Sequence, residues 1–201
     1  MRLDGWYAAA GRDFPWRQWR DPYRSLIVEV LLQRTAARVV ADFAPSFFSS
    51  FPSWQSLAGA RIEDLEKTLA PIGLQRRRAR SLHAAALVMV TAPPADWEDL
   101  PGVGQYIGRA VKVTLHGSAQ AMVDTNFVRV LRRVFPPPWR SDYRYDDRLQ
   151  ALSSAIVRGA SDPRVANWAV LDLAATVCTS RTPRCSSCPL ADACLFAQNG
   201  S

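Results

Sequence analysis

The stretch Leu100-Pro101-Gly102-Val103-Gly104-Gln105-Tyr106-Ile107-Gly108 decides the fold of this 201-residue chain. Its glycines let backbone N–H groups approach a phosphate without an intervening Cβ, and the positive end of the following helix strengthens that attraction. A dinucleotide-binding loop would need a strand before the glycines, and residues 95–99 do not form one. The stretch therefore predicts a helix-hairpin-helix turn that grips DNA backbone without reading its sequence, through Gly102, Val103, Gly104 and Tyr106.

The sequence on both sides of this turn is patterned for helices. Apolar residues recur at helical spacing from Tyr23 to Phe43, after the start signal Asp21-Pro22. Short helices are expected after Ser53 and over 97–100, and longer ones over 61–70, 76–90, 106–115, 126–134, 146–158 and 163–177. Because no segment alternates as a strand does, we expect an all-α fold.

The charge of the chain points to a polyanionic partner. The formal net charge is +7 and the pI is about 9.7, which fits nucleic acid but also fits solubility alone. No apolar run approaches the roughly 18 residues that a membrane span needs, and the first residues carry no apolar signal segment. We therefore expect a cytoplasmic protein without a membrane partner.

All four cysteines fall near the end of the chain, with six, two and five residues between them. Disulfides are not expected without export. Structural zinc usually shows two close cysteine pairs, and this spacing has one. Four thiolates in one short loop can also close around an iron–sulfur centre. The candidate ligands are Cys178, Cys185, Cys188 and Cys194.

Two carboxylates are candidates for chemistry. Asp124 follows the hairpin by about 20 residues and precedes a helix, where an N-cap role for it or for Asn126 is the alternative. Glu29 lies within the apolar run Leu26–Leu32, where burial is costly unless the carboxylate has a partner or a function. The alternative is that Glu29 faces solvent.

The hairpin, Asp124 and the cysteine loop, in this order, resemble the helix-hairpin-helix DNA glycosylase superfamily, which is endonuclease III-like. The resemblance runs from Phe14-Pro15-Trp16-Arg17 to Cys194. It is closest to the mismatch-specific thymine/uracil glycosylases and next to the adenine glycosylases, since Arg34 stands where the adenine enzymes usually have a second glutamine. Those enzymes normally carry a further C-terminal domain, and this chain stops at Ser201.

The resemblance implies an architecture and a set of partners. It implies two lobes with a DNA cleft between them: a six-helix barrel domain over 18–118, and an iron–sulfur domain made from 1–17 and 119–201. The 6-2-5 cysteine spacing implies a [4Fe-4S] cluster, and the hairpin implies a monovalent cation. The expected partner is double-stranded DNA with a mismatch or a damaged base, bound by a monomer in a bacterial or archaeal nucleoid.

The resemblance also implies roles for individual residues. Bifunctional members place a lysine at position 106; Tyr106 cannot form a Schiff base, so we expect a monofunctional enzyme that uses water. Asp124 would stabilise the sugar cation, Glu29 would protonate or hydrogen-bond the departing base, and Tyr106 would contact that base. The residues expected to fill the gap in the DNA or support the pocket are Arg34, Gln33, Leu74, Gln75 and Asn126. Those expected to bind phosphate are Arg76, Arg77, Arg78 and Arg80.

Several alternatives stay open at this point. The basic run over 76–80 could be a solvated helix face, and Lys112 is expected at the surface. The substrate could be adenine opposite guanine or oxidised guanine. The chain could also be a non-catalytic iron–sulfur protein that binds DNA or senses redox state.

Overall fold

The computed structural model describes residues 3–199, which contain helices and no strand. The expected all-α class is confirmed. The helices are α1 Leu3–Ala10, α2 Pro22–Leu32, α3 Ala37–Ser50, α4 Trp54–Ala58, α5 Ile62–Leu69, α6 Gln75–Thr91, α7 Gln105–His116, α8 Thr125–Val134, α9 Asp147–Arg158, α10 Pro163–Thr176 and α11 Leu195–Gln198. None of those between residues 3 and 199 combines the length and the apolar character needed to cross a lipid bilayer.

The chain forms two compact units, each with its own hydrophobic core. Residues 14–116 form the first, which we call the hairpin unit. Residues 117–199 form the second together with residues 3–13, and we call it the cysteine unit. The two predicted domains were 18–118 and the remainder of the chain.

The hairpin unit is built from α2 to α7 around leucine and phenylalanine side chains. Leu26, Phe47, Leu57 and Leu82 are fully buried. Local signals start two of its helices as predicted. Asp21 accepts a hydrogen bond from the Arg24 N–H at the start of α2. Ser53 and Ser56 form a capping box at the start of α4. Helix α6 packs on α4 and α5, and α2 packs on α7.

One predicted helix is interrupted in the structure. The apolar pattern from Tyr23 to Phe43 predicts a continuous helix, but α2 ends at Leu32 and α3 begins at Ala37. Between them Arg34 adopts a left-handed backbone with φ of 55°. No glycine or proline marks this break, and the carbonyls of Leu31 and Gln33 beside it accept hydrogen bonds from a buried arginine of α6, Arg78.

The cysteine unit packs α8, α9, α10 and α1 around a second core. Phe127, Leu149 and Leu173 are fully buried in it. The segment after α1 is fastened by Arg12, whose backbone N–H and Nε donate to the buried carboxylate of Asp172 at 2.7 and 2.8 Å. This ion pair joins residues far apart in sequence within one unit.

Candidate active site

The hairpin is a tight turn that needs glycine at two positions. Gly102 has φ of 76°, and a Cβ there would lie 2.5 Å from Ser81 Oγ. A Cβ on Gly108 would lie 2.3 Å from Glu98 Cγ, where α7 crosses the preceding turn. The backbone can therefore approach its neighbours only without side chains at these positions.

The backbone donors of this turn are not equivalent. The N–H of Val103 donates to Leu100 O at 3.0 Å, and the Val103 side chain is buried. Val103 thus keeps the turn closed, and its N–H is engaged. Gly104 and Gln105 are exposed at the start of α7, where the first N–H groups of a helix have no partner within the helix. These two positions are the ones suited to phosphate.

Glu29 is buried in the hairpin unit, only 8% exposed, so the solvent-facing alternative is wrong. Burial raises the pKa of Glu29 to about 7, although the positive charge of Arg17 acts in the opposite direction. At neutral pH the carboxyl group therefore exists in both protonation states. Arg17, itself buried, belongs to the surroundings of this carboxyl group, and the sequence did not point to it.

Tyr106 and Lys112 lie on α7. Tyr106 is half-buried in the first turn of that helix. Lys112, expected at the surface, is partly exposed, and its Nζ contacts Asp96 Oδ2 at 2.6 Å and Glu98 Oε1 at 3.4 Å. These contacts hold the turn before the hairpin against α7 and raise the pKa of Lys112.

The residues predicted to fill the DNA gap form two neighbouring loop tips. The first tip is 33–35, with Arg34 exposed, and the second tip is 73–75, with Leu74 39% exposed. Arg34 and Leu74 are the two non-glycine residues with positive φ within 3–199, at 55° and 53°. Thr35 Oγ1 lies 3.5 Å from Ile72 O, so the tips are adjacent within the hairpin unit.

Arg78 corrects one prediction. It was expected to bind phosphate, but it is 1% exposed. Its guanidinium donates inward to backbone carbonyls beside both tips, because the helical period turns position 78 toward the core. The other members of the basic run, Arg76, Arg77 and Arg80, are exposed and remain candidates for phosphate.

Asp124 caps α8 in the cysteine unit. Its Oδ1 accepts from the N–H groups of Asn126 and Phe127 at 2.9 and 2.7 Å, and its Oδ2 accepts from Asn126 Nδ2 at 2.8 Å. The N-cap alternative is confirmed, and it is compatible with chemistry. The side chain is partly exposed, and Oδ2 keeps capacity to accept one more hydrogen bond.

Two arginines of α8 contact the cysteine loop, and one of them also contacts the cap. Arg129 Nη1 donates to Asn126 Oδ1 at 3.0 Å, and its Nε donates to Cys178 O at 2.9 Å. Arg133 Nη1 donates to Cys178 Sγ at 3.3 Å. Neither arginine was predicted, although their spacing of four residues on the helix that Asp124 caps places them on one face.

The four cysteines line one small cavity of about 20 Å³ in the cysteine unit. All are free thiols. Burial raises the pKa of the Cys188 thiol, and the other three cysteines raise it further. Within residues 3–199 no three Cys, His, Asp or Glu side chains form a site for a single metal ion. Four thiols facing one cavity, with an arginine donor to sulfur, fit the ligand set of a [4Fe-4S] cluster.

The structure thus gathers Glu29, Tyr106, the hairpin and both tips in the hairpin unit. It gathers Asp124, Asn126 and the cysteines in the cysteine unit.

Known proteins resemble this chain in both sequence and structure. A family model described as HhH-GPD superfamily base excision DNA repair protein matches residues 27–155. Thymine-DNA glycosylase of Aeropyrum pernix is 32% identical and covers 98% of this chain and 93% of its own length. Adenine DNA glycosylase of Mycobacterium tuberculosis is 34% identical and covers 98% of this chain and 67% of its own length.

The structure of a thermostable thymine-DNA glycosylase superposes with a TM-score of 0.90 at 32% identity. It covers 98% of this chain and 94% of that one. The chain therefore belongs to the HhH-GPD superfamily of base excision DNA repair proteins, and it is a DNA glycosylase.

Proposed function

We propose that the chain hydrolyses the N-glycosidic bond of thymine or uracil mispaired with guanine, without a lyase step. The observation that carries the proposal is the carboxylate of Asp124, held by two backbone N–H donors at the position where the resemblance puts the catalytic aspartate. Tyr106 stands where the bifunctional members have lysine. The similarity to enzymes named thymine-DNA glycosylase supports the choice of substrate. Arg34 also supports this substrate, because an arginine at this position is typical of the mismatch-specific enzymes.

The first step is extrusion of the target base. A base inside the stack cannot be reached, and flipping costs a few kcal/mol, least at a mismatch. The backbone around Gly104 and the exposed Arg76 and Arg77 would hold phosphates. Leu74 would enter the gap and Arg34 would contact the orphan guanine.

Departure of the base leaves positive charge on the sugar. Asp124 would stabilise this charge and orient the attacking water through Oδ2, since both backbone donors bind Oδ1. Asn126 would keep the carboxylate in that orientation. Because Tyr106 offers no amine, water is the nucleophile and the reaction ends at the abasic site.

The departing base needs a proton or a hydrogen bond. Glu29 suits this task because its pKa of about 7 leaves a protonated fraction at neutral pH. Tyr106 would pack against the base.

The [4Fe-4S] cluster is part of the proposal. Cys178, Cys185, Cys188 and Cys194 would hold it, and it would supply a covalent anchor for the loop that contacts Arg129 and Arg133. A brown preparation absorbing near ~400 nm supports the cluster, and a colourless protein with stoichiometric zinc argues against it.

Removal of adenine is the second candidate. The adenine glycosylase relative is as similar in sequence over the same part of this chain, and Glu29 could equally protonate a purine. The two candidate functions differ in the base that is removed and in the base that stands opposite it in the duplex.

An oligonucleotide panel separates these possibilities. We expect strand breaks after hot alkali in T·G and U·G duplexes, and none with Asp124→Asn. Cleavage confined to A·G or A·oxidised-G duplexes would contradict the proposed substrate. A protein–DNA adduct trapped by borohydride at the active site would overturn the monofunctional reaction.

A further inference from the structure

The buried guanidinium of Arg78 hydrogen-bonds to the backbone beside both tips. Its Nη1 donates to Ile72 O at 2.9 Å and Gly73 O at 2.6 Å, on the side of the second tip. Its Nη2 contacts Leu31 O at 3.0 Å and Gln33 O at 2.5 Å, on the side of the first tip. One planar group therefore satisfies carbonyls of two loops separated by about forty residues in sequence.

The first tip adds a side-chain partner to this arrangement. Thr35 Oγ1 lies 2.7 Å from Arg78 Nη2. The helix that carries Arg78 is itself fixed to the second tip, because the Arg78 N–H donates to Leu74 O at 2.9 Å. Both tips thus share a single buried support.

The tips need such support because their backbones are strained. Left-handed conformation costs a non-glycine residue free energy, and it persists only where the surroundings impose it. Arg34 and Leu74 both adopt it. Gly73 has φ of 74° and ψ of 178°, a combination that is essentially restricted to glycine. Without a common anchor each tip would relax independently.

We infer that Arg78 is a positioning residue that locks the two tips in one relative arrangement, so that they enter the DNA gap together. The inference rests on the proposed function only where it assigns the tips to the gap. Arg78 is buried, so it acts through Arg34 and Leu74 and not by contacting DNA itself.

Arginine is specifically required by this geometry. Its two terminal nitrogens point to different tips within one rigid plane, whereas the ammonium of lysine is a single point on a flexible stem. Arg78→Lys should therefore restore only part of what Arg78→Met removes.

The free protein provides the first test. The amides of Gln33, Thr35 and Gly73 each donate to the carbonyl three residues earlier, so their hydrogen exchange reports on the tips. In Arg78→Met we expect exchange to accelerate roughly 10- to 100-fold, as for loss of a hydrogen bond to a charged group. Arg78→Lys should fall between Arg78→Met and the wild type.

Arg77→Met is the matched control, because Arg77 precedes Arg78 in the same helical turn and is exposed. It should leave exchange at the tips unchanged. If Arg78→Met does not fold, Thr35→Val removes one partner of the guanidinium, and it should accelerate exchange at Gln33 and Thr35 more than at Gly73.

DNA binding provides the second test, with a duplex that carries an abasic-site analogue opposite guanine. Arg78→Met should weaken binding by roughly 5- to 150-fold, because the two loosened tips would have to be ordered on the DNA, with the salt dependence unchanged. Arg77→Met should reduce the slope of log K against log salt by about one, as for a lost phosphate contact.

Two results would overturn the inference. Wild-type exchange at both tips in Arg78→Met would show that the guanidinium does not hold them. A salt slope reduced by one in Arg78→Met would make Arg78 a phosphate ligand. Neither result depends on which base the enzyme removes, so a failure of the substrate proposal in the oligonucleotide panel would be recognised separately.

Discussion

Replacing Glu29 with glutamine should make the protein more stable at pH 8 while removing its activity. Burial raises the pKa of Glu29 from 4.5 to about 7, so the folded state binds a proton more tightly than the unfolded chain does. Stability from this group is complete below pH 4.5, declines as the pH rises, and is lost above pH 7. Glutamine keeps the shape and removes the ionisation.

The size of the effect follows from the shift. A difference of about 2.5 pKa units at 1.36 kcal/mol each corresponds to about 3 kcal/mol. Glu29→Gln should therefore raise the free energy of unfolding by up to that amount at pH 8 and hardly change it near pH 4.5. In a protein of this length the gain corresponds to roughly 6–12 °C in melting temperature.

The assay is urea unfolding at pH 5 and pH 8, followed by tryptophan fluorescence. Glu63→Gln is the control, since Glu63 is an exposed carboxylate in the first turn of α5 with a long contact to Arg61. It should change the free energy of unfolding by less than about 1 kcal/mol, to a similar extent at both pH values. Single-turnover base removal by Glu29→Gln should fall by about 10² to 10⁴, the usual contribution of a general acid. Equal stabilisation at both pH values, or destabilisation at pH 8, would refute the reasoning.

Three further outcomes are expected. Asp124→Asn should lose base removal yet unfold within about 0.5 kcal/mol of the wild type, because asparagine is an equally good N-cap; calorimetry and the glycosylase assay check this together. Arg129→Met should lower the single-turnover rate more than the affinity for DNA, because the contact to Asn126 that orients the carboxylate is lost. Gly102→Ala should weaken DNA binding and lower the melting temperature, because the new Cβ meets Ser81 and φ is positive; a wild-type melting curve would contradict it.

Local rules recovered most of the helices. The Ser53 cap depends on neighbouring residues only, and it lies where the sequence predicts it. Gly102 also lies where the sequence predicts a turn, with a positive φ. The break after Leu32 could not be predicted in this way. The residue that binds the carbonyls beside the break, Arg78, lies more than forty residues further along the chain, so no local pattern indicates this contact.

The burial of Arg78 could have been predicted from its helical spacing to apolar residues, although its charge suggested an exposed position. Arg78 stands four and seven residues before Leu82 and Ala85, both buried, which is the spacing of one helix face. Counting the arginines of 76–80 as a patch hides this period. For Asp124 the sequence offered a capping role and a chemical role as alternatives, and one side chain can serve both, because capping occupies mainly one carboxylate oxygen.

The shared duty of Asp124 has a consequence for natural variation. Substitutions that damage most enzymes lower abundance in the cell, since unfolded molecules are degraded. The Asp124→Asn protein would not be degraded in this way, because it stays folded. It would accumulate normally, bind lesions and leave them unrepaired. Surveys that score variants by expression level would class this change as harmless, and only a measurement of base removal would reveal it.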